Sequence, residues 1–369
     1  IAMKWISKYL GYLILGINGL FAGLLLFSAY SPHINPEIHP VVSCFGLAFP
    51  AFLVMNLLFF LFWLFFHRKY VLLPLLAFIV CIGSIRTYIP VNFPTKNIPK
   101  DAFKLLSYNV MAFDEDKKHT QDSPNPIVMY IKNSDADIVC LQEFIMGADK
   151  HHLQKADVDE ALKDYPYKQY HAAGKSGNGL ACYSRYPILS QEQLPYESLY
   201  NGTIMYQLNI NGDTVVLINN HLESNKLTYE DKKVYVEMIK SPEKDKVEHG
   251  ARLLISKLAE ATAIRARQAN AIAHVIDSLN NKGRSIIVCG DFNDTPISYT
   301  HRVISQNLDD AFVQSGNGIG ISYNQNGFYF RIDNILISKD LKSFDCTVDN
   351  HIKDSDHYPI WCYIAKRKT

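Results

Sequence analysis

Residues 285–295 read SIIVCGDFNDT: a β-branched, apolar run that ends at Gly290 and opens into carboxylate and amide side chains. A strand that is buried along its length and stops on Asp291 and Asn293 delivers oxygen atoms to the rim of a sheet. Alone, GDFND resembles any Asp/Asn-rich turn. Outward in both directions, however, the pattern recurs. FKLLSYNV (103–110) carries Asn109 at its end, DIVCLQE (137–143) stops on Glu143, and VVLINN (215–220) is followed by His221. RIDNILIS (331–338) opens on Asp333, and SDHYPIWC (355–362) sets Asp356 and His357 before a last strand. Singly, Glu143 reads as a solvated strand end, His221 as a core histidine and Asp333 as a salt-bridge partner of Arg331. Together they put carboxylates, amides and imidazoles on one rim, a donor set that suits Mg²⁺ or Mn²⁺.

The intervening sequence supplies the frame. Strand patterns occupy 180–184, 205–210 and 214–219, the last two joined by Asn211-Gly212, a hairpin signal. Helical patterns cover 126–132, opened by Pro126, and 252–279. Hairpins mixed with helices predict two sheets packed face to face and flanked by helices.

In the order N, QE, H, GDFN, D, SDH, these segments resemble the endonuclease/exonuclease/phosphatase superfamily. That is the fold of deoxyribonuclease I, abasic-site endonucleases, neutral sphingomyelinases and inositol-polyphosphate 5-phosphatases. The resemblance spans about residues 103–364 and no motif position departs from it. It implies an α+β fold, a four-layer α/β/β/α sandwich, and a phosphoester hydrolase dependent on Mg²⁺ (or Mn²⁺). It further implies Glu143 as principal metal ligand, with Asn109 beside it and Asp356 contributing. Asp291 would orient or deprotonate the attacking water, and Asn293 would hold a phosphate oxygen. His357 would pair with Asp333, and His221 would bond the phosphoryl group or the leaving oxygen.

Ahead of this domain lie three apolar stretches, 10–29, 41–66 and 70–85. About 20 apolar residues cross a bilayer as helix; the third stretch is shorter, and Arg86 is expected to snorkel to the interface beside Tyr88. A cleaved signal peptide accounts for the first run alone but not for the two that follow. Lys4 and Lys8 precede the first span and Arg68 and Lys69 lie between the second and third, whereas 31–40 has no Lys or Arg. The positive-inside rule then predicts a cytoplasmic N-terminus and an extracytoplasmic hydrolase in the cytoplasmic membrane, periplasmic if the cell is Gram-negative. The expected division is 1–89 as membrane anchor, 90–102 as a proline-bearing linker and 103–369 as hydrolase domain.

Bulk properties narrow the partners. Net charge is +1 and the pI about 7.7, without the basic stripe of a protein that grips long nucleic acid. The seven cysteines form no CxxC pair, so a zinc or redox motif is unsupported and buried thiols are expected. Gly174-Lys175-Ser176 imitates the end of a P-loop, but Gln169 stands where that motif needs glycine. His151-His152 reads as a solvated helix face. The long segment 223–250, rich in lysine, follows His221 and is expected beside the site, as a lid or as a solvated insertion. The expected substrate is a phosphoester, either a phospholipid headgroup, favoured by a short tether to the bilayer, or nucleic acid cut by a nuclease. A catalytically silent receptor for a phosphorylated ligand is the reading from another class. No obligate protein partner is evident.

Overall fold

The computed structural model describes every residue except 1, 96, 115–117, 121, 147–152, 174–177, 197, 199–200, 241–242, 326 and 368–369. His151, His152 and the Gly174-Lys175-Ser176 stretch therefore lie outside the described residues.

Two six-stranded sheets form the hydrolase. In spatial order, the first contains Leu341–Val348, Ile360–Lys366, Phe103–Asn109, Ile138–Gln142, Asn178–Ser184 and Tyr167–Ala173. The second contains Ile188–Gln193, Gly202–Ile210, Asp213–His221, Ser285–Asp291, Asp333–Ser338 and Leu308–Asp310. Between their inner faces lies a core that includes Leu105, Leu217, Ile287 and Ile335. Cys140, Cys182, Cys289, Cys346 and Cys362 join this core as free, buried thiols, acting as small apolar side chains. Helices Pro126–Asn133 and Lys155–Ala161 cover the outer face of the first sheet. The 38-residue helix Lys244–Asn281 covers the second through Ala269, Ile272 and Ile276. The two packed sheets flanked by helices that the patterns predict, and the four-layer sandwich that the resemblance implies, are thus the observed fold.

The hairpin turns where expected, with Asn211 and Gly212 both at positive φ (54° and 95°). Strands Tyr167–Ala173, Ile188–Gln193 and Leu341–Val348 lacked a sequence signal. They lie at sheet edges or carry mixed polar faces, as in ILSQEQ, so alternation is lost.

Two N-terminal segments, Tyr9–His33 and Pro40–Phe66, are long and apolar enough to cross a membrane. The third expected span is a bent pair, Arg68–Val80 and Ile82–Tyr88, meeting at 66°. The break at Cys81 lies two residues before Gly83-Ser84, a pairing at which helices kink. Between the first two helices, the Trp63 indole donates to Asn18 Oδ1 at 3.0 Å and Asn56 donates to the Phe21 carbonyl at 2.9 Å, while within its own helix Asn56 also donates to the Phe52 carbonyl. These amides are buried inside apolar runs, where hydrogen bonds between helices hold a bundle that the hydrophobic effect does not.

The membrane module and the hydrolase are in direct contact. Arg302 Nε donates to the Pro32 carbonyl at 2.7 Å, and Cys44 Sγ lies 3.9 Å from Thr262 Oγ1 on the long helix. Ile297, four residues beyond Asn293, packs into the cluster formed by Ala22, Leu25, Phe49 and Ala77. After the third helix, Asn92 donates to the Val313 and Gly316 carbonyls. Gly46 is the tightest point, since a Cβ there would fall 1.9 Å from the Ile297 carbonyl oxygen. Gly46→Ala is therefore expected to destabilise the full-length protein by about 1–3 kcal/mol through overpacking. Gly23→Ala, which meets nothing within 4 Å, should not destabilise it. Thermal unfolding in detergent compares the two; equal midpoints would mean that the contact is not tight.

Candidate active site

Register builds the site. In the second sheet, His221 pairs with Asp291 across parallel strands, and Asp291 pairs with Asp333 across antiparallel ones. One rim therefore carries His221, Asp291 and Asp333 side by side on strands about 4.8 Å apart. In the first sheet, Asn109 pairs with Gln142, which sets Glu143 beside it. His357 enters from the loop before Ile360–Lys366. Both Glu143 (φ 51°) and Asn293 (φ 52°) occupy the left-handed region, the kind of strained backbone held at functional sites.

Hydrogen bonds cross between the two rims. Asn109 Nδ2 donates to Glu143 Oε1 and to Asp291 Oδ2, both at 3.2 Å. Asp291 Oδ1 accepts from the Asn293 amide at 2.7 Å, and Asn293 Nδ2 donates to the Leu222 carbonyl at 2.9 Å. Asp333 Oδ2 lies 2.8 Å from His357 Nδ1, fixing the ring and its tautomer. Arg331, the other partner considered for Asp333, instead donates to the Thr87 carbonyl at the end of the membrane module. His221 Nε2 is 3.6 Å from Glu143 Oε1 and 3.8 Å from Asp291 Oδ2, while His357 Nε2 is 3.7 Å from Asp291 Oδ2. Asp356 lines the same cleft, about 460 Å³ in volume, with Glu143, His221, Asp291, Asn293 and His357.

Burial and crowding set the charges. Asp291, 1% exposed, is pushed up to about 6 by desolvation; Asp333 adds to the shift, while His357 and His221 oppose it. Glu143 is raised by desolvation and by the charge of Asp356. His221 is lowered, because burial outweighs its acidic neighbours. Burial also disfavours the His357 cation, but Asp333 and Asp291 overcome it and hold that imidazole well above its ordinary value. The result is one neutral and one cationic imidazole within a cluster of carboxylates.

That cluster fits a hard divalent cation. Oxygens dominate its donors, the carboxyls of Asp291 and Glu143 are raised chiefly by burial, and among the described residues Asp333 Oδ1 is buried without a hydrogen-bond partner. Asp291, Asp333 and His357 can each offer a ligand atom within 4.8 Å of the others.

Several supporting residues escaped the sequence reading. Gln142 Nε2 donates to Asn219 Oδ1 at 2.7 Å, and Asn219 donates to the Leu141 and Ala181 carbonyls, a buried polar bridge joining the sheets beneath the site. The signal was there: an Asn pair in the apolar run VVLINN has no place in a core unless it is bonded. Ser355 Oγ donates to the Asn109 carbonyl at 2.8 Å, and Ser322 Oγ accepts from the Ile332 and Asp333 amides, each at 3.0 Å. Tyr323 stands edge-on to His357, its centroid 5.1 Å away, and accepts from Lys232 Nζ at 2.5 Å. Lys232 belongs to helix Tyr229–Lys240 within the 223–250 segment, and Asn225, Lys226, Leu227, Lys232 and Tyr235 all line the cleft. The insertion does lie beside the site. The long helix begins at Lys244, earlier than its apolar pattern, because its first turns are charged and solvated.

The search of curated proteins returns no match. Similar solved structures include truncated TDP2 from Caenorhabditis elegans, at 16% identity and TM-score 0.46, covering 71% of this chain and 97% of that one. An endonuclease/exonuclease/phosphatase from Beutenbergia cavernae has 17% identity and TM-score 0.49, covering 72% of each chain. The human nocturnin catalytic domain with bound sulfate has 15% identity and TM-score 0.47, covering 72% of this chain and 94% of that one. Residues 11–88 match a domain of unknown function, DUF8431. Residues 106–357, more than half of the chain, match the Endonuclease/Exonuclease/phosphatase family, and the chain belongs to that family of metal-dependent phosphoester hydrolases.

Proposed function

We propose that this enzyme hydrolyses a phosphoester at the outer surface of the cytoplasmic membrane, with a phospholipid headgroup as substrate. Residues 1–89 anchor it, 90–102 connect and 103–369 carry the chemistry. The observation that carries the reading is the convergence of Glu143, His221, Asp291, Asn293 and His357 on one cleft, with Asn109 and Asp333 hydrogen-bonded to them. The extracytoplasmic side is supported by lysine and arginine at the N-terminus and at 68–69, with none between 31 and 40. A phospholipid is supported by the tether and by the absence of a basic stripe.

In this mechanism Glu143 and Asn109, with Asp356 contributing, would hold Mg²⁺ or Mn²⁺, which would supply Lewis-acid stabilisation of charge on the phosphoryl oxygens. Asp291 orients the attacking water and accepts its proton. Asn293 binds a phosphoryl oxygen. His357, kept cationic by Asp333, donates to the oxygen on which charge develops, and neutral His221 bonds the phosphoryl group or the leaving oxygen.

The test is Mg²⁺- and Mn²⁺-dependent turnover by the full-length protein on phospholipids, DNA, RNA and bis-p-nitrophenyl phosphate, with His357→Ala as control. Preference for nucleic acid would favour a nuclease. Bound metal without turnover of any substrate would favour a silent receptor. Metal should also stabilise the fold in a pH-dependent way. It displaces protons from raised carboxylates, so the gain in Tm on adding Mg²⁺ should grow from about pH 5 to about pH 8. A gain independent of pH would mean that the ion binds elsewhere.

A further inference from the structure

The membrane module contributes a wall of the catalytic cleft. Leu47 and Ala48, on the helical turn Cys44–Ala48 at the N-terminal end of the second apolar segment, line the same cavity as Glu143, Asp291 and His357. Facing them are Leu254 and Leu258, successive turns of the long helix. Further along that helix, Thr262 touches Cys44, and buried Arg265 donates to the Glu223 carbonyl and Asn225 and pairs with Asp294 at 3.4 Å. One helix face thus joins the membrane loop to the loops that carry His221 and Asp291.

The depth of this wall follows from the second span. Within the segment Pro40–Phe66, the continuous α-helix Phe49–Phe66 has 18 residues, about 27 Å of helix, close to the ~30 Å thickness of a hydrocarbon core, and the short turns 40–48 precede it. His67, Arg68 and Lys69 close its far end, so Leu47 and Ala48 stand at the opposite boundary, where lipid phosphates meet acyl chains. Ile38, Val91 and Phe93, beside the ends of the first and third membrane segments, are 68%, 85% and 97% exposed, as residues inserted into that boundary would be.

We propose that the substrate is a lipid phosphoester bound without leaving the bilayer. Its phosphate lies at the carboxylate–histidine cluster, and the first carbons of its acyl chain rest on Leu47, Ala48, Leu254 and Leu258. Leu47 is then a specificity residue for the apolar part of the substrate. This rests on the phosphoesterase reading above, and the test separates the two.

Full-length wild type, Leu47→Asp and the milder Leu47→Ala are assayed with Mg²⁺ on bis-p-nitrophenyl phosphate. They are also assayed on phosphatidylethanolamine, phosphatidylglycerol and sphingomyelin, each in long-chain form in mixed vesicles and in short-chain, water-soluble form. Wild type should prefer the long chain by at least about tenfold in kcat/KM, since only the bilayer-held form is concentrated at the boundary where the tethered cleft lies. Leu47→Asp should reduce that preference about tenfold, and Leu47→Ala about threefold. Equal kcat/KM for long and short chains in wild type, an unaltered preference in both variants, or turnover of nucleic acid alone would each overturn the proposal. Turnover of bis-p-nitrophenyl phosphate without any lipid turnover would sink the lipid wall and leave the phosphoesterase standing. No turnover of any substrate would remove both.

Discussion

Asp291→Asn is expected to lower kcat by a factor on the order of 10³, with little change in KM, because it removes the proton acceptor and keeps the shape. The amide still fills the space among Asn109, Asn293 and the two imidazoles. Stability should move the other way. The folded-state value of about 6 lies above the ordinary carboxylate value, so the stability this group contributes is complete below the unfolded value and lost as pH rises through about 6. At neutral pH the metal-free wild type carries a buried, crowded carboxylate, which the neutral amide relieves. Metal-free Asp291→Asn should therefore melt at or above the wild-type temperature above about pH 6, while its kcat collapses. A variant that loses activity and stability together would indicate a structural role for Asp291. A variant with wild-type kcat would remove it from the chemistry. The acid limb of the wild-type pH profile belongs to the same group. Metal beside it pulls the carboxylate down, so that limb should fall at or below about pH 6.

What could be read in advance, and what could not, divides along physical lines. Strands buried on both faces, such as SIIVCG and DIVCL, announce themselves because no polar residue interrupts them, and a carboxylate at their end stands out against that background. The site was legible for this reason: its residues sit where an apolar run stops. Edge strands such as Ile188–Gln193 were not legible, since one face and one edge meet water and their composition matches a loop. Nor was the Asp333–His357 pairing legible from spacing, because 24 residues separate the partners and the chain crosses to the other sheet through Leu341–Val348 between them; only family resemblance proposed it. The docking of 31–48 onto the hydrolase was invisible for another reason. A hydropathy pattern reports how deep a segment lies and carries no information about which polar surface its outer loop meets. Gly46 and Ile297 are unremarkable in sequence, yet they touch.

The largest stability effect is expected at Gly290, where the sequence reading saw only a motif letter. Its φ of +124° lies in a region that side-chain-bearing residues rarely adopt, and a Cβ there would sit 2.0 Å from the Asn220 carbonyl oxygen. Asn220 is its partner across the parallel strands, one residue before the His221–Asp291 pair. No flexible side chain can move aside, because the obstacle is backbone within a hydrogen-bonded ladder. Gly290→Ala thus combines dihedral strain with overpacking, together about 3–5 kcal/mol, or a fall in Tm on the order of 10 °C. The site should suffer more than the fold. Separating the two strands at this residue moves His221 away from Asp291, and a displacement of about 1 Å between reacting groups can cost about a hundredfold in rate. Gly283→Asn is the matched control, since Gly283 has φ +64° but open space around its missing Cβ. Asparagine tolerates that conformation, so the control should keep its kcat and lose little stability. If Gly290→Ala behaved like the control in both Tm and kcat, close approach of these strands could not be what sets the distance between His221 and Asp291. If it melted early but kept full activity at low temperature, the strain would be absorbed away from the rim, and the strand ends would be held by their side-chain bonds to Asn109 and Asn293 instead.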